Sequence, residues 1–232
     1  MPSNEMLLSV VIPIFNEEPT IGDVITRLKA TMRQISLKYE LIVVDDFSTD
    51  RSLEISKSHS ARVYSLNQHM GKGCALRVGF SNAKGEIIAT IDSDGSHQPE
   101  ELGLLLMPIL RDQADFVIGS RFLDQKPVSA KKLNAIGVRL FNALIKVFTR
   151  VGFTDSQSGY RAMKSEIVKN LHLVSGGYEI ESEMLVKTAR KGYRVKEVPI
   201  SFEQRTYGRS RLDPIVDGFR ILLSIVAAYM KG

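Results

Sequence analysis

Two aspartates two residues apart, Asp92 and Asp94, give this 232-residue chain its clearest chemical signal. They follow the apolar run GEIIATI, which is typical of a buried strand, so the pair stands where a strand ends. Two carboxylates at this spacing can hold a hard divalent cation, which takes oxygen ligands and bridges phosphates. A solvated turn or a helix N-cap is the alternative, because such triplets also occur by chance.

Two further carboxylates follow the first two predicted strands. Glu17 comes after the run LLSVVIPIF, and Asp46 closes ELIVVDD. At the end of a parallel strand a carboxylate can accept hydrogen bonds from the base or ribose of a nucleotide. Capping of the helices that begin near Thr20 and Ser52 is the alternative.

Two loops could meet phosphate. The loop Arg205–Arg211 (RTYGRSR) carries guanidinium groups, which match phosphate oxygens in pairs. The segment Gly71–Gly73 (GKG) lacks the G-x-x-x-x-G-K-[ST] spacing of nucleoside triphosphatases, so we exclude that class. We interpret it as a tight turn into a helix.

The elements that must position these residues alternate along the first half of the chain. Predicted strands are 7–15, 40–46, 62–66, 86–92 and 114–120, with another at 193–202; predicted helices include 20–35, 52–58, 71–83, 99–110, 166–171 and 181–191. The alternation indicates an α/β fold with a mostly parallel, Rossmann-like sheet flanked by helices. Ligands bind such sheets outside the carboxyl ends of the strands. Because no linker separates 7–122 from 123–232, we predict one domain.

The composition is that of an ordinary globular protein, with 44% apolar residues and a net charge of +5. The charge is concentrated between residues 121 and 150, where seven basic residues oppose one acidic residue, a net of 7 − 1 = +6. Cys74 is the only cysteine, which excludes a disulfide framework and favours a reducing compartment. We expect no structural zinc and no signal peptide.

The basic stretch has helical spacing. One side groups apolar residues and the other groups basic ones: Leu133, Ile136, Leu140, Leu144, Val147 and Phe148 against Lys132, Arg139, Lys146 and Arg150. Such a helix suits a membrane interface, and packing on the core is the alternative. A second apolar run, 221–230, is too short to span a bilayer, which takes about 20 residues.

Several motifs together carry a family resemblance. They are VVIPIFNEE, VVDD, GKG, DSDGSHQPE, GSR, DSQSGYR, GGYEIESEM and EVPISFEQRTYGRSRL, in this order. The chain resembles family 2 glycosyltransferases, and among them the polyprenyl-phosphate glycosyltransferases such as dolichol-phosphate mannose synthases. The resemblance covers roughly residues 7–225. It implies a GT-A fold with acceptor-side C-terminal helices, a nucleotide-sugar donor, a divalent metal (Mg²⁺ or Mn²⁺) and inversion at the anomeric carbon.

The resemblance also implies roles for individual residues. Donor contacts are Pro13, Phe15, Glu17, Val44, Asp46, Asp92, Ser93, Asp94, Arg205 and Arg211; the metal is held by Asp92, Asp94 and Gln98; acceptor phosphate meets Arg121, Lys131 and Lys132. Asp94, Arg121 and Arg205 are the implied catalytic residues. The nucleotide-binding half would be about 7–122, and the half facing acceptor and membrane about 123–232.

The function implied is transfer of mannose from GDP-mannose to a polyprenyl or dolichyl phosphate. The protein would be cytoplasmic and peripheral at the cytosolic membrane face, with a small membrane-anchoring subunit as a further implied partner. Alternatives are a UDP-glucose or UDP-N-acetylglucosamine donor, a hydroxyl acceptor, or a catalytically inactive nucleotide-sugar binding partner. The absence of tryptophan argues against synthases with a Q-x-x-R-W motif. We expect no nucleic-acid partner, because no aromatic residues interleave a flat basic face, apart from Phe141 and Phe148 on the apolar side.

Overall fold

One sheet runs through both halves of the chain. The computed structural model describes residues 6–35, 37–59, 61–123, 132–203, 205, 207 and 213–231, with backbone alone at 132–136 and 231. The strands in these residues are β1 (Leu7–Ile14), β2 (Lys38–Asp45), β3 (Arg62–Ser65), β4 (Ile87–Thr90), β5 (Phe116–Ser120), β6 (Arg161–Lys164) and β7 (Val195–Pro199). Their order in the sheet is β3-β2-β1-β4-β6-β5-β7.

Helices cover both faces of this sheet. They are α1 (Ile21–Gln34), α2 (Ser52–Ser58), α3 (Lys72–Asn82), α4 (Leu102–Leu110, after a 3₁₀ turn at Pro99–Glu101), α5 (Lys132–Thr149), α6 (Ser165–Leu171), α7 (Ile180–Arg190) and α8 (Val216–Lys231). Alternate residues of β1 point to opposite faces. Ile12 and its neighbours on that face pack with α1 and α4, whereas Val11 packs with α3, α5, α7 and α8.

The predicted α/β sheet is confirmed, with one strand that the sequence did not reveal. Strands β1 to β4 pair in parallel, as do β5 and β7. β6 runs antiparallel between β4 and β5, and we predicted no strand there. It has four residues (RAMK), too few for an apolar alternation, and it begins with a buried arginine. Tertiary pairing, not local propensity, makes it a strand.

The carboxyl ends of the strands bring the polar residues to one edge. Glu17 follows β1, Asp46 follows β2, Asp92 follows β4 and Arg121 follows β5. The parallel register sets Ile14 beside Asp45, so the first two strands end level. This edge therefore carries the predicted chemistry.

The packing of α5 differs from the predicted apolar face. Its buried side chains are Val138, Phe141 and Ile145, which pack on the core, the alternative left open by the sequence. Leu140 and Val147, assigned to the apolar side, are 61% and 73% exposed. The exposed side also carries Arg139, Lys146 and Arg150. Apolar and basic residues thus share the outer surface, and Leu133 and Ile136 lie outside the described side chains.

The C-terminal helix is longer than the predicted run. α8 begins at Val216 and has 16 residues, because an aspartate at 213 accepts the backbone N–H groups of Ile215 and Val216 ahead of it. In the part of the chain that the structure describes, no helix has the length and apolar character needed to cross a membrane.

Arg161 ties β6 to the loop before it and to α7. Its guanidinium donates to the backbone carbonyls of Ser158, Glu181 and Ser156, each at 2.7 Å. Burial lowers the pKa of Arg161 to about 10, so the group stays charged at neutral pH. The segment 156–161 is therefore fixed by one buried cation.

Replacing this arginine should be costly. We expect Arg161→Met to lower the free energy of unfolding by about 3 kcal/mol or more, because three buried carbonyls lose their donor. Lys164→Met in the same strand is the control; its ion pairs with Asp112 and Asp115 are part-exposed, so about 1 kcal/mol or less is expected. Urea denaturation of the full chain measures both, and equal losses would contradict the assigned role.

Candidate active site

A cavity of about 700 Å³ lies over the carboxyl edge of the sheet. Most of the predicted donor and acceptor residues line it: Pro13, Phe15, Glu17, Asp46, Asp92, Ser93, Asp94, Arg121 and Arg205. Val44 does not, because it is fully buried in β2 beneath the cavity. Lys131 and Arg211 lie outside the described residues, and of Lys132 only the backbone is described.

A half-buried lysine pairs with carboxylates on two sides of the cavity. Lys72 Nζ lies 2.6 Å from Asp92 Oδ1 and 2.7 Å from Glu181 Oε1. Burial alone would lower the pKa of Lys72, but the two carboxylates raise it well above its ordinary value, so the amine is charged. Burial opposes ionisation of Asp92, yet the charge of Lys72 lowers its pKa to about 2. The three groups form one ion cluster.

Glycines allow Lys72 to reach this position. Gly71 has φ +92, and a Cβ there would lie 2.6 Å from the carbonyl oxygen of Gly176. A Cβ on Gly73 would lie 2.5 Å from that of Ser175. The GKG segment is the predicted tight turn into a helix, and it also packs its backbone against the loop that leads to Glu181. A functional role for Lys72 was missed, since a lysine between two glycines carries no signal of a distant partner.

Asp94 is held by the loop that follows β7. Its Oδ1 accepts from the backbone N–H and hydroxyl of Ser96, at 3.0 and 2.6 Å, and its Oδ2 lies 3.4 Å from Arg205 Nε. Arg205 also pairs with Glu17. The loop is anchored by the backbone N–H of Glu203, which donates to the carbonyl of Ser96 at 3.0 Å. Arg205 therefore joins the ends of β1 and β4 across the cavity.

The predicted metal ligands are only partly available. Gln98 does not line the cavity, its amide oxygen accepts from Arg27, and its buried amide nitrogen has no hydrogen-bond partner among the residues that the structure describes. No group of three or more His, Cys, Asp or Glu suited to a metal occurs among the residues described. Mg²⁺ is commonly held by one or two carboxylates together with substrate phosphates. Asp92 and Asp94 fit an ion that arrives with a diphosphate.

Asp46 stabilises the rim of the cavity. Its two carboxylate oxygens accept the backbone N–H groups of Met70 and Gly71, at 2.7 and 2.8 Å. His69 lies 2.8 Å from the same carboxylate and stacks on Phe15 with ring centroids 4.0 Å apart. An aromatic pair beside a carboxylate is a surface on which a nucleobase can stack.

Arg121 also lines the cavity, and its guanidinium lies close to two aromatic rings. Its guanidinium carbon lies 5.5 Å from the ring centroid of Phe122 and 5.1 Å from that of Phe202. Its Nε donates to the buried Asp155 at 2.6 Å, and its Nη2 donates to the same carboxylate at 2.8 Å. Asp155 engages Nε and Nη2, and in the described part of the chain Nη1 makes no hydrogen bond, so this nitrogen can donate to an anion.

Sequence reasoning missed three further groups around these residues. His97 is buried, its Nδ1 lies 3.8 Å from Asp92 Oδ2, and neither ring nitrogen has a hydrogen-bond partner among the described residues. Glu181 and Asp155 are also buried. Their motifs, SHQPE, GGYEIESEM and DSQSGYR, were noticed, but nothing in a linear pattern shows which member faces the cavity.

Comparison with known proteins shows which class of protein this chain is similar to. The sequence profile of glycosyl transferase family 2 matches residues 9–171. A solved structure of glucosyl-3-phosphoglycerate synthase from Mycobacterium tuberculosis, in complex with Mn²⁺, uridine diphosphate and phosphoglyceric acid, superimposes with a TM-score of 0.79 at 23% identity, over 97% of this chain and 78% of that one. The fold is therefore that of the GT-A glycosyltransferases.

Two relatives agree. An uncharacterised protein of Methanocaldococcus jannaschii is 33% identical over 96% of this chain and 92% of its own length. A dolichol-phosphate mannosyltransferase of Pyrococcus furiosus is 31% identical over 89% of this chain, which spans 59% of that protein. The chain belongs to glycosyl transferase family 2.

Removing the bridging amine should destabilise the site in a pH-dependent way. The folded pKa of Asp92 is about 2, below its ordinary value of 3.8, so the pair contributes stability above 3.8 and loses it as pH falls toward 2. We expect Lys72→Met to lower the free energy of unfolding by about 2 kcal/mol or more at neutral pH.

The measurement is denaturation at a series of pH values. The gap between wild type and Lys72→Met should narrow as the pH approaches 2. Lys57→Met, on the exposed side of α2, is the control and should leave the curve unchanged. A gap that is the same at every pH would contradict the pairing.

Proposed function

We propose that this protein is an inverting, metal-dependent transferase that moves a sugar from a nucleotide donor to a polyprenyl or dolichyl phosphate. Mannose from GDP-mannose is the preferred donor in this proposal. UDP-glucose and UDP-N-acetylglucosamine are the alternatives. The resemblance to polyprenyl-phosphate transferases and the relative from Pyrococcus furiosus support the lipid acceptor.

One observation carries the proposal. The cavity that holds Asp92, Asp94 and Arg121 is also lined by α5 and by the first turns of α8, and we call this part of it the groove. There the groove is lined by the apolar side chains of Val138, Phe141, Val216 and Ile221, together with the charged residues Asp213, Asp217 and Arg220. A cation and a cluster of apolar side chains in one cavity suit a phosphate that carries a hydrocarbon chain, whereas a small hydrophilic acceptor gains nothing from the apolar part.

In this reaction the protein must supply positive charge for the two phosphate groups. A phosphate monoester is already anionic near neutral pH, because its second pKa is about 6, so no general base is needed. Arg121 would hold the acceptor phosphate, and Arg205 would hold the donor diphosphate as the sugar leaves it. A divalent ion held by Asp92 and Asp94 would supply further neutralisation of the leaving diphosphate. Lys131, Lys132 and Arg211 stay predicted contacts, and an anchoring subunit stays a predicted partner.

The outer surface beside the groove supports binding at a membrane face. α8 exposes Phe219, Leu223 and Met230 at helical spacing, and α5 exposes Arg139 and Lys146 together with Leu140. Apolar side chains among basic ones match the boundary between lipid headgroups and acyl chains. The proposed location is peripheral, at the cytosolic face.

Transfer into lipid tests the function directly. Purified protein is given each radiolabelled donor in turn, with Mn²⁺ or Mg²⁺ and vesicles that contain polyprenyl phosphate. We expect one donor to label the lipid, and Asp94→Asn to reduce the rate about 100-fold or more, because an oxygen ligand of the ion is lost. Asp23→Asn, on the exposed side of α1, is the control.

The outcomes separate the alternatives. Label in phosphoglyceric acid or in a hydroxyl acceptor, with none in lipid, would overturn the lipid acceptor but keep the transferase. No transfer from any donor would favour the inactive binding partner. Full activity of Asp94→Asn would contradict the assigned site.

The groove can be blocked without disturbing the fold. A Cβ on Gly218 would meet no atom within 4 Å, and this glycine lines the cavity. We expect Gly218→Leu to lower transfer to polyprenyl phosphate roughly tenfold by filling the groove, while donor affinity stays unchanged. Gly103→Leu in α4 is the matched control, because a Cβ there also meets nothing. Unchanged transfer in Gly218→Leu would exclude the groove as the path of the chain.

A further inference from the structure

Asp155 is a fully buried carboxylate whose hydrogen bonds converge on Arg121. Its Oδ2 accepts the Nε–H of Arg121 at 2.6 Å and the backbone N–H of Arg121 at 3.1 Å, and its Oδ1 accepts from Nη2 at 2.8 Å. Asp155 is 0% exposed, and it does not line the cavity, whereas Arg121 does. The aspartate can therefore act on a ligand only through the arginine.

The backbone around Asp155 is itself held in place by hydrogen bonds. Its backbone N–H donates to Glu197 Oε1 of β7 at 2.9 Å, and the neighbouring Thr154 N–H donates to the same carboxylate. Arg161 holds the carbonyl of Ser156, the next residue along the chain. A carboxylate anchored in this way sets the direction of the guanidinium that it binds.

We propose that Asp155 is a positioning residue for acceptor phosphate. By engaging the Nε–Nη2 edge of Arg121, it presents the Nη1 side, between the rings of Phe122 and Phe202, to the phosphate. The bidentate pair removes the rotations that a free arginine would lose on binding, so less entropy is lost when the anion docks. The inference rests on the proposed function, in which Arg121 contacts the phosphate of the acceptor.

A merely structural ion pair is the competing explanation, and the chain contains a matched example. At the other end of β5, Asp115 Oδ2 accepts the Nε–H and the backbone N–H of Arg194, both at 3.0 Å, and its Oδ1 accepts from Nη2 at 2.8 Å. The two pairs share the same bonding pattern. Asp115 lies far from the cavity, at the start of the strand that Arg121 follows.

The test compares Asp155→Asn with Asp115→Asn in the transfer assay with polyprenyl phosphate. Asparagine keeps the shape of the side chain but replaces one accepting oxygen with an N–H donor. We expect Asp155→Asn to raise the acceptor KM about tenfold and to leave the donor KM unchanged, as for other supporting residues of a site. Asp115→Asn should lower the unfolding temperature but change neither KM.

A double-mutant cycle separates positioning from general damage. If Asp155 acts through Arg121, Arg121→Ala with Asp155→Asn should be no worse than Arg121→Ala alone. Additive losses, or an unchanged acceptor KM in Asp155→Asn, would overturn the inference. If Arg121→Ala leaves the acceptor KM unchanged, the acceptor contact in the proposed function fails instead. Wild-type transfer into lipid, measured alongside, shows whether the function itself stands.

Discussion

The ion cluster of Lys72, Asp92 and Glu181, only partly exposed to solvent, is the interaction on which the site depends. One ammonium group, charged because two carboxylates lie within 2.7 Å, joins the strand end of β4 to the start of α7. Lys72 belongs to the predicted nucleotide-binding half of the chain, and Glu181 belongs to the predicted acceptor half. Without the amine, the half-buried Asp92 and the buried Glu181 would lose the cation that pairs with both, which disfavours close packing here.

The same principle governs the rest of the cavity. In the described part of the chain, Glu17 and Asp94 pair with Arg205, and Asp155 pairs with Arg121. A site that binds diphosphate and a divalent cation must hold both signs of charge, and each charge needs a partner while the ligands are absent. In the proposed function, Asp92 and Asp94 would hold a divalent ion that enters with the donor diphosphate, and Arg205 would contact that diphosphate.

Much of the fold and part of the site could be predicted from the sequence, for reasons that particular residues illustrate. Strands such as LLSVVIPI can be recognised in the sequence, because burial on both faces of the sheet requires a continuous apolar run. Asp92, Asp94 and Arg121 were predictable because parallel strands deliver their ends to one edge. Lys72, Asp155 and β6 were not, because each depends on partners at least 20 residues away in the chain, such as Glu181, which is 109 residues from Lys72. The apolar side predicted for α5 is only partly right: Leu144 and Phe148 pack against the core, whereas Leu140 and Val147 are exposed. Helical spacing does not say which apolar residues the core will take.

The error in α5 bears on the charge of the whole chain. A helix that placed all its apolar residues on the core would leave a purely basic outer face, suited to any polyanion. The observed surface instead interleaves Leu140 and Val147 with Arg139, Lys146 and Arg150. Exposure of apolar side chains to water is unfavourable. At a lipid interface, by contrast, the apolar side chains can contact acyl chains while the basic ones contact headgroups. The concentration of positive charge between residues 121 and 150 thus agrees with the proposed function, in which Arg121 would contact the acceptor phosphate and the exposed side of α5 would face anionic headgroups.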